Sequence, residues 1–141
     1  MEVLADQCGA NGDALFRLMR VLAVHNIFIE QGERHFGLTD LGDLLRSGAP
    51  GSMRDYVLLT GDPVVWRASE NLEYSIRTGH PAFDQTCGQS WFSYLAANPS
   101  TGQIFDDAMR NREASEIPVI IGAYDFSKFG LIADLGGGKI A

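Results

Sequence analysis

The residue types and spacing that most clearly indicate chemistry are an aspartate and three glycines near the end of the sequence. The segment DLGGG, residues 134–138, overlaps the end of an apolar run that begins at Leu131 and is typical of a buried strand. Glycines at the carboxyl end of a strand let a ligand approach the backbone closely, as nucleotide-like ligands do in open α/β sheets. A flexible loop is the alternative. A phosphate-binding P-loop is disfavoured, because Ile140 stands where that motif needs Ser or Thr.

The other reactive residue types are scattered along the sequence. His25, His35 and His80 lie far apart, and none stands near a Ser or Cys in the context of a nucleophile. Cys8 and Cys87 are predicted to be small buried apolar residues, because two cysteines make neither a disulfide framework nor a zinc site. The sequence therefore leaves the catalytic residues unknown and predicts no metal site.

The elements that must position these residues begin with a helix, a turn, a second helix and a hairpin. Apolar residues at helical spacing predict a helix up to Cys8, and Asn11 or Asp13 can cap a second helix over 14–23. Short strands over 27–29 and 35–38 flank the turn at 32–34. This order is typical of a winged helix-turn-helix.

The following segment, up to residue 126, predicts mainly helices. Thr39 or Asp40 caps a short one, and Pro63 opens another that runs to about residue 77. A helix over 53–60 follows a capping box at Ser52 and Asp55, and a turn-rich surface loop over 78–90 is anchored by Phe83. An aromatic helix is predicted over 91–97. A long helix then begins with a capping box at Ser100 and Gln103, and we expect a kink or break at Pro118.

Composition restricts the class of protein. With 141 residues, 45% of them hydrophobic, the chain can form one domain, alone or with a fragment of a second. The net charge of −7 argues against nucleic acid and anionic lipid as partners. The apolar runs are too short to span a bilayer, and the first residues carry acids rather than a basic signal region. We therefore expect a soluble, cytoplasmic protein.

Seven segments in order resemble the O-methyltransferases that use S-adenosylmethionine to methylate small molecules, in particular the bacterial antibiotic-tailoring members and their plant relatives. The segments are DALFRLMRVLAVHNIF, FGLTDLGDLLRSGAPGSMRDY, WRASENLEYSIRTGHPAFD, QSWFSYLAANP, IFDDAMRNRE, AYDFSKFG and IADLGGG. They extend through nearly the whole chain at the family's intervals. This co-linearity is far more specific than any one motif.

The resemblance implies a mainly α fold in two parts. Residues 1–124 are similar to the family's winged-helix and helical domain, which serves dimerisation, and residues 125–141 to the first strand of a truncated Rossmann-like α/β domain. The cofactor would be S-adenosylmethionine, with its methionine portion bound by Asp134, Gly136, Gly137 and Gly138. The residues implied to border the acceptor pocket are Trp91, Phe92, Phe105, Asp106 and Met109. Packing in the core is the alternative for the apolar ones.

Three positions depart from the family's pattern. Asp106 stands where Asn is common, and Glu113 replaces a Ser near the cofactor's carboxylate, so both add negative charge. Lys139-Ile140 stands where the family prefers a further glycine. The resemblance places the general base in the family's carboxyl-terminal part.

The sequence leaves three possible functions of the chain to compare. The first is part of an enzyme that methylates a hydroxyl of an aromatic, polyketide-like acceptor, with these 141 residues alone expected to be inactive. The second is a non-catalytic dimerisation module, either an isolated winged-helix domain or half of a split enzyme, whose partner would be a second copy or a longer methyltransferase chain. The third, a DNA-binding winged helix, is disfavoured because its recognition helix would carry only Arg17 and Arg20 as cations.

Overall fold

A computed structural model of the protein describes residues 1–133, which form two compact units, the first over Met1–Ser52 and the second from Met53 onward. The first contains α1 (Glu2–Cys8), α2 (Gly12–Val24), β1 (Phe28–Glu30), β2 (Phe36–Leu38) and α3 (Asp40–Asp43). The second contains α4 (Arg54–Thr60), α5 (Pro63–Glu70), α6 (Leu72–Thr78), α7 (Ala82–Cys87), α8 (Trp91–Ala97) and α9 (Pro99–Ala123). The prediction of a mainly helical fold is confirmed.

Local signals set the boundaries in the first unit. Gly9 ends α1 in the left-handed conformation, and the Asn11 side chain accepts a hydrogen bond from the Ala14 N–H at the start of α2. The strands β1 and β2 pair antiparallel with Phe28 opposite Leu38. The helix–turn–helix–hairpin order predicted from the sequence is therefore present.

The hairpin and α2 pack through a cation and two aromatic rings. The Phe16 and Phe36 rings meet edge to face at 5.9 Å, and the Arg34 guanidinium lies 4.7 Å from the centre of the Phe16 ring. Arg34 also forms an ion pair of 2.8 Å with Asp13. This arrangement fixes the turn against the start of α2 while Met19 fills the small core.

The second unit has α4 and α8 packed against the long helix α9. Ala108 of α9 is 1% exposed, and the other buried apolar residues are Leu59, Val64, Ala82 and Leu95. The Asn111 amide donates to Asp55 at 3.3 Å, which joins α9 to the first turn of α4. Small side chains at the helix contacts allow this close packing.

The prediction of a single helix from residue 63 to 77 is wrong, because the helix is interrupted at Asn71 and forms two shorter helices, α5 and α6. The prediction of a loop over 78–90 is also wrong, because α7 forms within it. Two contacts fix α7: the Ser75 hydroxyl accepts from the Ala82 N–H at 2.8 Å, and the Asn71 amide donates to Thr86 at 3.0 Å. These tertiary hydrogen bonds compensate for the turn-forming residues at its ends.

Both predicted capping boxes are wrong. The N-cap of α4 is Met53 rather than Ser52, and the buried Ser52 hydroxyl donates to the Arg46 carbonyl at 2.9 Å. Helix α9 starts earlier than predicted, with Asn98 as its N-cap and Pro99 in the first turn, which places Ser100 inside the helix. Proline favours this position because its fixed φ suits the first turn and it has no N–H to leave unpaired.

The end of the described chain differs from the sequence prediction. Helix α9 continues through Pro118 to Ala123, so the chain does not break there, and a kink at Pro118 stays a prediction. Residues 131–133 form no strand, and Leu131 is 87% exposed. A parallel strand becomes buried only when neighbouring strands cover it, and residues 1–133 contain no such neighbour. Within the same residues, no helix is long and apolar enough to cross a membrane.

Candidate functional site

A cavity of about 550 Å³ opens among five helices of the second unit, a size typical of small-molecule sites. It has contributions from α4, α5, α7, α8 and α9. The lining residues are Tyr56, Leu59, Thr60, Val65, Ala68, Ser69, Ala82, Phe83, Trp91, Phe105, Met109 and Arg112.

An aromatic cluster forms one wall of this cavity. The Phe83 ring meets the Trp91 ring edge to face at 4.9 Å and the Tyr94 ring at 5.5 Å. The Phe105 ring meets Trp91 edge to face at 5.9 Å. Each such pair contributes roughly 0.5–1.5 kcal/mol beyond the burial of its area, so the wall is held rigidly in place.

The polar groups of the cavity are few, and most have partners. The Thr60 hydroxyl donates to the Tyr56 carbonyl and the Ser69 hydroxyl to the Val65 carbonyl, both at 2.9 Å. Arg112 is the one formally charged residue among the described lining residues. Its Nε donates to Glu116 at 2.7 Å, and this hydrogen bond together with the carboxylate's charge raises the pKa of the guanidinium. The wall is therefore apolar with one permanent cation.

Three of the five residues predicted to border an acceptor lie in this lining: Trp91, Phe105 and Met109. Phe92 and Asp106 are outside it. Phe92 is 71% exposed and packs its ring against Phe105 at 6.1 Å, while Asp106 is half-buried. The four predicted cofactor contacts, Asp134, Gly136, Gly137 and Gly138, lie outside the described residues.

Two functional candidates in the lining, Arg112 and Tyr56, were not predicted from the sequence. A helical signal for Arg112 is present, because Phe105, Met109 and Arg112 follow the spacing i, i+4, i+7 that places side chains on one face of a helix. Tyr56 had no comparable signal, since its helix meets α9 only through the tertiary fold.

The remaining reactive residues are not brought together. The histidines at positions 25, 35 and 80 are exposed and none lines the cavity. Cys8 is exposed, so the prediction that it is buried is wrong. The buried residue of its helix is Ala5. The described residues contain no group of three or more His, Cys, Asp or Glu side chains that could hold a metal ion.

A second cavity, of about 780 Å³, lies beside the end of α9 and the segment that follows it. Its lining includes Ile120, Tyr124 and Phe126 but none of the predicted acceptor residues. In the same segment, a hydrogen bond from the Ser127 hydroxyl lowers the pKa of Asp125. We take the smaller cavity as the candidate site, because side chains from five helices line it, among them the aromatic wall and three of the predicted acceptor residues.

Known proteins of one family are similar to the segment that forms most of this cavity. Residues 69–141 match the O-methyltransferase domain family. The phenazine O-methyltransferase PhzM of Lysobacter antibioticus is 36% identical over 98% of this chain, which spans 40% of that relative's length.

Solved structures show the same likeness. The crystal structure of LaPhzM superposes with a TM-score of 0.83 at 35% identity, over 89% of this chain and 37% of that one. The neocarzinostatin O-methyltransferase NcsB1, solved with S-adenosylmethionine and 2-hydroxy-5-methyl naphthoic acid, has a TM-score of 0.66 at 30% identity, over 89% of this chain and 39% of that one.

Proposed function

The chain belongs to the O-methyltransferase family, and from that premise we propose that it is part of an S-adenosylmethionine-dependent enzyme that methylates a hydroxyl group of an aromatic small molecule. The observation that carries the proposal is the cavity lined by Trp91, Phe105 and Met109 within the matched segment. Relatives whose names specify a phenazine and a naphthoic acid support a flat, polyketide-like acceptor from antibiotic biosynthesis.

The proposal assigns the two parts of the chain different tasks. Residues 1–124 would form a winged-helix and helical domain for dimerisation, and residues 125–141 would begin the Rossmann-like methyltransferase domain. Asp134, Gly136, Gly137 and Gly138 would hold the methionine portion of the cofactor, with glycine leaving room for close approach to the backbone. A cytoplasmic location and the roles of Phe92 and Asp106 remain predictions.

The cavity suits a positively charged methyl donor beside a flat acceptor. Aromatic faces such as those of Trp91 and Phe105 attract a cation, and the thioether of Met109 is soft and polarisable. When bound, S-adenosylmethionine supplies a methyl group that is already attached to a good leaving group. The aromatic and thioether part of the lining, unlike the Arg112 end, therefore fits the sulfonium group of this cofactor.

The described residues contribute positioning of the acceptor. The aromatic wall fixes the plane of the acceptor, which reduces the entropy lost on reaching the reactive geometry. The acceptor's hydroxyl must also lose its proton, and the described lining contains no His, Asp or Glu that could take it. The general base therefore comes from outside this lining, and we expect the 141-residue chain alone to transfer no methyl group.

Tryptophan fluorescence tests whether the cavity binds an acceptor. The chain contains two tryptophans, and Trp66 is 63% exposed and outside the lining, so the Trp66→Phe variant leaves Trp91 as the reporter. We expect 1-naphthol to shift the Trp91 emission saturably. Phe105→Leu in this background weakens binding several-fold, because it removes an aromatic face.

Two outcomes decide against this site. The matched control Phe129→Leu changes a half-exposed ring outside the lining, so it is expected to leave the affinity unchanged. A saturable shift that is sensitive to Phe129→Leu and insensitive to Phe105→Leu would move the acceptor to another surface. Absence of any saturable shift would remove the cavity as the acceptor site.

A second candidate function is association without catalysis, with a second copy of this chain as the partner. It is favoured by one stripe of α2, where Leu18, Val21 and Val24 are 53%, 55% and 84% exposed. Burying such a stripe against another copy is favourable at roughly 25 cal/mol per Å² of apolar surface. Sedimentation equilibrium of the chain is expected to give a dimer that Val21→Glu converts to a monomer. A wild-type monomer at all concentrations would refute it.

A further inference from the structure

We propose that Arg112 binds an anionic substituent, a carboxylate, on the aromatic acceptor. This inference rests on the proposed function, because it takes the cavity of the second unit as the acceptor site. It adds the chemical class of the acceptor: a hydroxylated aromatic acid rather than a neutral phenol.

The position of Arg112 along α9 is the first argument. Phe105, Met109 and Arg112 line the cavity from one face of the helix. At 1.5 Å per residue, Arg112 lies about 10 Å along the axis from Phe105. That separation matches a two-ring aromatic molecule with a substituent, so the rings can lie on the apolar part while the substituent reaches the guanidinium.

The second argument is the supply of hydrogen-bond donors. The hydroxyl protons of Thr60 and Ser69 are already donated to carbonyls of their own helices. Arg112 carries five N–H donors, of which the one on Nε is donated to Glu116. The described lining contains no carboxylate, and Glu116, the carboxylate that pairs with Arg112, binds only at the Nε side, so four N–H donors remain for a second anion.

The third argument is the chemistry of arginine. A planar guanidinium can donate hydrogen bonds to two carboxylates on different edges, which a lysine ammonium does not do with the same geometry. Glu116 holds one edge and keeps the charge on Arg112, since its hydrogen bond raises the pKa of the guanidinium. The side chain is 57% exposed, so a ligand can reach the other edge.

The experiment compares two probes of the same shape, the anion 1-hydroxy-2-naphthoate and the neutral 1-hydroxy-2-naphthamide, by titration of Trp91 emission in the Trp66→Phe chain. We expect the carboxylate to bind about tenfold more tightly than the amide, as a charge-assisted hydrogen bond predicts. Arg112→Gln should remove this preference by weakening the naphthoate alone. Arg112→Lys should retain part of it, because the charge remains.

Arg110→Gln is the matched control. Arg110 is on the same helix, is similarly exposed at 53%, and forms a comparable ion pair with Asp107, but it does not line the cavity. We expect this variant to keep the full preference for the naphthoate. Circular dichroism at 222 nm checks that every variant is folded.

The outcomes separate this inference from the proposed function. Equal affinity for both probes, or a preference that survives Arg112→Gln, overturns the role of Arg112 while the acceptor site stands. If wild-type chain binds neither probe, the acceptor site itself is wrong and the inference falls with it. A third titration with S-adenosylhomocysteine identifies the source of the carboxylate. If Arg112→Gln weakens that ligand and leaves the naphthoate unchanged, Arg112 binds the cofactor and the acceptor assignment is overturned.

Discussion

Replacing Gly102 with alanine should push α8 away from α9 and distort the aromatic wall of the cavity. A Cβ atom at Gly102 would lie 3.0 Å from the Leu95 carbonyl oxygen, closer than ordinary van der Waals contact. That carbonyl cannot easily give way, because it accepts a hydrogen bond from the Asn98 N–H and belongs to a residue only 8% exposed. The last turn of α8 must therefore move.

The expected magnitude is the difference between two effects. Alanine in place of glycine stabilises a helix by about 1 kcal/mol, whereas forcing an extra methyl group into a packed contact costs about 1–3 kcal/mol. Gly102→Ala should therefore destabilise the second unit by about 1 kcal/mol. Gly122→Ala in the same helix is the control, because its Cβ would meet nothing within 4 Å. It should stabilise by up to about 1 kcal/mol, so the variants differ by about 2 kcal/mol.

Equilibrium unfolding in urea, followed at 222 nm, measures both variants, and the 1-naphthol titration reads out the cavity. We expect Gly102→Ala to weaken naphthol binding, because α8 carries Trp91, while Gly122→Ala leaves it unchanged. If both substitutions stabilise the chain equally, the Leu95 carbonyl moves aside freely. The close approach of α8 and α9 would then not shape the site.

Two further predictions concern other parts of the chain. Gly42→Ala should destabilise the first unit by about 3 kcal/mol, because the added Cβ would overlap the Ile27 carbonyl oxygen. Urea unfolding that shows no decrease in the free energy of unfolding would contradict this packing. Hydrogen bonds from the Gln103 side chain, and to a smaller extent from Arg110, lower the pKa of Asp107 in the folded chain. The ionised Asp107 therefore stabilises the fold at pH values above its unfolded pKa of about 3.9. That stabilisation is lost as the pH falls through the lower folded pKa. Asp107→Asn should therefore reduce the thermal midpoint at pH 7 and not at the lowest pH, and a loss of equal size at both would show that Asp107 acts through packing.

The sequence alone determined the features that depend on neighbours along the chain. Gly9 and Asn11 mark the end of one helix and the start of the next, and the aromatic helix begins at Trp91 as predicted, because caps and helical spacing act within a few residues. The family resemblance also came from the linear order of motifs. It predicted five residues of an acceptor pocket, of which Trp91, Phe105 and Met109 line the cavity and Phe92 and Asp106 do not.

Only the tertiary structure decided which helices meet. Helix α7 forms among turn residues because Ser75 bonds to its first residue and Asn71, fifteen residues before its partner, bonds to Thr86. The N-cap of α4 is Met53 rather than the predicted Ser52. The cavity likewise requires five helices to converge, which brings Tyr56 and Arg112 to one wall across more than fifty residues of chain. Local propensity contains no information about such contacts, because their free energy is gained only when distant segments pack together.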